Sequence, residues 1–160
     1  MDITARQQSN TRDKRVIAAL CKKESEVPIT GGCFCGEVSY QVDGRLRDAR
    51  SCHCSRCRKA FSSQASAYAL VEPTEFRWLS GDGLLTSYVG SHGFGLQFCS
   101  KCGSTLCGIF DGVVHGVTLG CVNGDPEIDI GMHIFVGSKA AWEVLPDAVT
   151  QYYEQGPNSA

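Results

Sequence analysis

The chain has no apolar run near the roughly 20 residues that a membrane-spanning helix requires, so no such helix and no membrane partner are expected. Its first residues, Met1-Asp-Ile-Thr-Ala-Arg6, are polar and charged, so no secretory leader is read there. Without a leader, a cytoplasmic location is expected, and with it reduced thiols rather than disulfides. An excess of one charge sign is also missing: the net charge is −2, with acids and bases mixed along the sequence. Nucleic acid usually selects a basic face, so it is not an expected partner. There is no internal repeat and no low-complexity tract.

What is present is cysteine, ten in 160 residues, together with eighteen glycines. The length suits one domain with a real core. Residues 1–27 read as a separate N-terminal extension. Within it 1–11 are polar and expected to be disordered, while 13–23 suit a short helix with Asp13 at its start and lysines at its end. The main domain is read as 28–155, followed by a frayed tail at 156–160. Short alternating segments at 38–42, 65–71, 75–79, 84–89, 95–98, 105–110, 113–119 and 133–136 are strand candidates separated by glycine-rich turns. Asp43-Gly44 reads as a hairpin-type turn, and Ser138 as the cap of a short turn or helix reaching Trp142. The pattern predicts an all-β fold, a barrel or folded sheet.

Seven of the cysteines fall into three clusters. Cys33-Phe-Cys35-Gly36 and Cys99-Ser-Lys-Cys102-Gly103 are two pairs, more than sixty residues apart. Two intervening residues let a backbone curl so that both sulfurs meet one ion, and Gly103 permits a tight exit. Together the pairs supply the four thiolates of a closed, structural zinc site. A redox disulfide is the competing reading, but the strand–helix–strand setting of thioredoxin-like motifs is missing.

Cys52-His-Cys54-Ser-Arg-Cys57 is different in kind. An extended start points Cys52 and Cys54 the same way and His53 opposite, and a curl then brings Cys57 to Cys54. Three thiolates leave a fourth position for water or substrate, as at a catalytic zinc. The alternative is a second closed site completed by His53 or by His92, His115 or His133. Zinc bound in an open site takes up thiols as thiolates and polarises carbonyl oxygens. Arg56 and Arg58 flank the triplet, either offsetting its negative charge, attracting a carboxylated substrate or simply solvated.

Weaker claims attach to other residues. Cys107 and Cys121 lie in apolar strand contexts, where cysteine acts as a small buried hydrophobe, and Cys21 sits on the N-terminal segment. Ser104 and Thr105 are placed to hydrogen-bond a thiolate, or serve only as turn residues. His133 and His115 are core histidines by default and general acids or bases by the sharper reading. Phe34, Phe61 and Phe94 either line a wall near the metals or pack in the core.

Gly32-Cys-Phe-Cys-Gly36, Cys52-His-Cys-Ser-Arg-Cys-Arg58, Phe98-Cys-Ser-Lys-Cys-Gly-Ser104 and His133-Ile-Phe-Val-Gly-Ser-Lys-Ala-Ala-Trp142 occur in that order. Together they resemble the glutathione-dependent formaldehyde-activating enzyme family, which shares its domain with centromere protein V. The resemblance covers about 29–153. It implies an all-β, Mss4-like fold of folded antiparallel sheets and two zinc ions per chain. One would be structural, on Cys33, Cys35, Cys99 and Cys102; the other, catalytic in type, on Cys52, Cys54 and Cys57. It also implies a carbon–sulfur lyase joining glutathione and formaldehyde, so the expected partners are a small thiol and an aldehyde. A non-enzymatic zinc module that binds protein or nucleic acid is the alternative.

Overall fold

The computed structural model describes residues 27–157. The helix expected at 13–23, and Cys21 with it, lie outside the described residues. Among those described, the chain forms eleven short strands, one short α-helix and four single-turn 3₁₀ helices. None of the helices is long and apolar enough to cross a membrane.

The strands form two sheets. The smaller has β1 (Ile29–Gly32), β2 (Ser39–Val42) and β5 (Phe76–Ser80) in the order β1-β2-β5, all antiparallel. β2 alternates as its sequence demands, with Tyr40 and Val42 fully buried between half-exposed Ser39 and Gln41. Tyr40 stacks on Phe76 and meets Trp78 edge-on, with ring centroids 5.4 and 6.0 Å away. Gly31 of β1 lies directly on the Tyr40 ring, where a Cβ would fall 2.2 Å from Cζ.

The larger sheet adds β3 (Arg47–Cys52), β4 (Ser66–Leu70), β6 (Leu85–Val89), β7 (Phe94–Cys99), β8 (Thr105–Phe110), β9 (Val113–Thr118), β10 (Met132–Ile134) and β11 (Thr150–Gln151). Their order is β11-β10-β3-β4-β9-β8-β7-β6. Leu106, Cys107, Ile109, Val117 and Ala69 from its central strands join Val38, Tyr40 and Val42 in one core.

Four expectations change. Asp43-Gly44 is not a hairpin turn, because β2 pairs with β1 and β5 while β3 belongs to the other sheet. It is the bend that carries the chain between sheets, held by Asp43 N–H to Glu75 O at 2.8 Å and by the Asp43–Arg77 ion pair. The sheets are not wholly antiparallel either: β10 runs parallel to both β3 and β11. The long stretch between β9 and β10 returns the chain to the free edge of β3, opposite β4. Ser138 ends a 3₁₀ helix (Val136–Ser138) instead of capping a later one. The tail is packed at its described end, with Gly156 buried and Arg50 Nη1 donating to Pro157 O at 3.2 Å.

Candidate metal centres

The first cysteine pair sits in the β1–β2 connection, the second at the β7–β8 turn. Gly36, at φ 80°, donates to Cys33 O at 3.0 Å, and Gly103, at φ 77°, donates to Cys99 O at 2.8 Å. Both are left-handed positions that favour glycine, and each closes the loop that turns its two sulfurs inward. The four sulfurs of Cys33, Cys35, Cys99 and Cys102 all lie within 4.8 Å of one another. Cys33 and Cys35 are 3.4 Å apart, and Cys35 and Cys99 3.9 Å. Zinc–sulfur bonds of about 2.3 Å in a tetrahedron put sulfurs about 3.8 Å apart, so the spacing fits zinc.

The sulfurs are also supplied with donors. Val38 N–H points at Cys33 Sγ at 3.3 Å. Ser104 accepts from Phe34 N–H at 2.9 Å, so its own hydroxyl proton is free for Cys102 Sγ, 3.4 Å away. The Ser104 hydroxyl, then backbone N–H groups, pull the Cys102 thiol down to about 5. Lys101 and Glu37, one on each loop, pair at 2.5 Å across the outside. Both are half exposed, so this pair adds little.

The triplet is built at the corner where β3 runs into α1 (Ser55–Phe61). Cys52 ends the strand. Cys54 is the helix N-cap, its sulfur accepting from Cys57 N–H at 3.3 Å, and Cys57 is one turn along. A thiolate at an N-cap is favoured by the unpaired N–H groups of the first turn. The three sulfurs lie within 4.8 Å of one another, and no histidine, aspartate or glutamate joins either cysteine group among the described residues. The thiols of Cys52 and then Cys57 point their protons at Cys54, pulling it down to about 2. The same sharing pushes Cys52 up to about 11, chiefly through Cys54, and pushes Cys57 up through Cys52 and Cys54. Proton and charge are thus unevenly divided, the arrangement a single divalent ion evens out. Three soft thiolates in reach of one point fit zinc as the four-cysteine group does.

His53 stays out of the set because its ring is fully engaged elsewhere. It is completely buried, with Nδ1 2.9 Å from Glu143 Oε2 and Nε2 2.8 Å from His133 Nδ1. Both ring nitrogens of His53 are thereby taken up, one by the Glu143 carboxylate and one by the His133 ring. Burial, and then the neighbouring His53, hold His133 below its ordinary value. The parallel β3–β10 ladder makes this possible, setting His133 opposite Ser51 and Ile134 opposite Cys52, with His53 N–H bonded to Ile134 O at 2.9 Å.

Of the remaining candidates, His92 is exposed, and His115 of β9 packs against Gly108 of β8 and Phe94 of β7, where burial lowers its pKa. Cys107 is buried beside Gln97, and Cys121 donates to Thr105 O at 3.4 Å; neither joins a cluster. Phe34 is 92% exposed, and Phe94 packs on Phe110, so neither serves as a buried wall. Arg56 is exposed, whereas Arg58 is half-buried. Glu143 is the residue that the motifs did not single out. It follows Trp142 directly, but its partner lies 90 residues away in sequence.

Residues 28–138 match the sequence model of the glutathione-dependent formaldehyde-activating enzyme family. Among solved structures, a Rhodobacter sphaeroides protein of 29% identity aligns over 60% of this chain and 89% of its own, with a TM-score of 0.49.

Proposed function

Because this chain belongs to the glutathione-dependent formaldehyde-activating enzyme family, we propose that it is a zinc-dependent carbon–sulfur lyase. Its substrate is the adduct of a small, glutathione-like thiol with an aldehyde such as formaldehyde. The observation that carries this reading is a triplet of three converging thiols with no fourth protein ligand among the described residues. Zinc held there supplies a site where a thiol is stabilised as thiolate or a carbonyl oxygen is polarised.

In the forward direction the thiol sulfur bonds to the carbonyl carbon, and its proton ends on the carbonyl oxygen. The reverse step breaks the same carbon–sulfur bond. Cys52, Cys54 and Cys57 would hold the metal, with no fourth protein ligand among the described residues. Glu143 and His53 keep the loop between Cys52 and Cys54 fixed, since a His53 ring that turned inward would close the fourth position. The four-cysteine group, holding the second zinc, joins the two sheets and has no reacting role. Such a set of free thiols suits a reducing, cytoplasmic setting.

Exchange spectroscopy of protons in a formaldehyde–glutathione mixture tests this, because the uncatalysed reaction provides the baseline. Zinc-loaded wild type should speed interconversion, and Cys54→Ser should return it to the baseline rate. No acceleration by fully metallated wild type would remove this substrate pair and favour a zinc module that binds a macromolecule.

A further inference from the structure

A shallow cleft of about 370 Å³ lies at the C-terminal end of α1, walled by Arg58, Lys59, Ser62, Ser63, Gln64 and Trp142. It offers two cations, two hydroxyls and an amide, and no carboxylate. Arg58 Nε is buried with no hydrogen-bond partner. A buried charged donor without an acceptor is costly, and folded proteins ordinarily satisfy it.

Trp142 is 77% exposed, yet the turn that carries it is anchored. Glu143 N–H donates to Ala140 O at 3.1 Å, Lys139 Nζ donates to Glu143 O at 2.9 Å, and the Glu143 carboxylate holds His53. An uncovered indole on an anchored turn, beside a guanidinium donor and a lysine, suits a ligand with an anionic end and an apolar or amide stem. The planar guanidinium fork selects a carboxylate in particular.

Reach decides the size of that ligand. Ser62 is five residues past Cys57, about 7.5 Å along a helix axis. An extended tripeptide spans about 10 Å. One tripeptide-sized thiol therefore has the length to place its sulfur at the triplet and a terminal carboxylate in the cleft.

We propose that this cleft is the subsite for a terminal carboxylate of a peptide thiol, held by Arg58 and Lys59 with Trp142 lying over the adjoining stem. The assignment of the thiol end rests on the lyase reading above; the cleft's preference for a carboxylate is tested apart from it.

The probe is S-methylglutathione, which keeps both carboxylates and has no ionisable thiol, titrated by calorimetry into the zinc-loaded full chain. Wild type should bind it, and Arg58→Gln and Lys59→Gln should each weaken binding about tenfold or more, the loss of one charge-assisted contact. Lys59 is exposed, so its replacement reads out binding even where Arg58→Gln disturbs the helix. Equal affinity in both variants, or no binding by wild type, overturns the subsite. Catalysis of formaldehyde–glutathione exchange by wild type is measured in parallel, since that reaction reports on the triplet directly. Its failure beside intact S-methylglutathione binding would overturn the lyase reading and leave the cleft assigned.

Discussion

Ser104 links the two halves of the four-cysteine group through one hydroxyl, accepting from Phe34 and facing Cys102. Ser104→Ala should lower zinc affinity at that group about tenfold, as loss of a hydrogen bond to a ligand does, and leave the triplet unchanged. Competition with a chromogenic chelator separates the two. The triplet itself makes a prediction in protons. With Cys54 held down and Cys52 and Cys57 held up, zinc uptake near neutral pH must displace two protons. Protons compete with metal, so affinity should climb with pH, about a hundredfold per unit, between the low Cys54 value and the high Cys52 value. Proton release in weak buffer counts them; three would mean that Cys54 carries its own proton. The cysteines were readable from spacing because ligand geometry is local. The engagement of His53 was not, since its partners Glu143 and His133 are brought to it only by the fold.

At the scale of elements, β1 depends on the bare Cα of Gly31. A methyl there would collide with Tyr40 and with Cys121 O, so Gly31→Ala should destabilise by about 1–3 kcal/mol in thermal or denaturant unfolding. Tyr40→Phe is the informative companion, because the Tyr40 hydroxyl is buried without a partner. Its removal should leave stability unchanged or slightly raised. The turn after Ala140 is clamped by Glu143 to His53, in the link between β3 and α1. Glu143→Ala strands a buried histidine and should lose about 1–3 kcal/mol, with faster amide exchange confined to 139–144 and the β3–α1 corner. A strand such as β2 is legible because one face is buried and the residues alternate. β3 is not: Arg47-Asp-Ala-Arg-Ser-Cys52 is polar, yet its last four residues are buried and the strand lies inside the larger sheet, between β10 and β4. The helix α1 leaves little mark in the sequence, being a single short stretch with no buried residue, started by a cysteine cap.

Across the whole molecule, the two cysteine groups are in positions of different consequence. The four-cysteine group ties the β1–β2 loop to the β7–β8 turn, bridging the small sheet and the large one. Cys99→Ser should therefore unfold the domain or lower its melting temperature steeply. Cys54→Ser lies at one corner and should keep the fold, seen as an unchanged circular dichroism spectrum with half the zinc. The all-β class and the two groupings were foreseeable from ordered motifs, whereas the parallel β3–β10–β11 edge required a connection whose path no local pattern specifies. The account turns on one group being closed and the other open. X-ray absorption at the zinc edge of the fully loaded protein measures this as a mean sulfur count. One closed and one open site predict about 3.5 sulfurs per zinc, rising to about 4 when glutathione is added. A count of 4 before any thiol is present, or a count that glutathione leaves at 3.5, would contradict the open site.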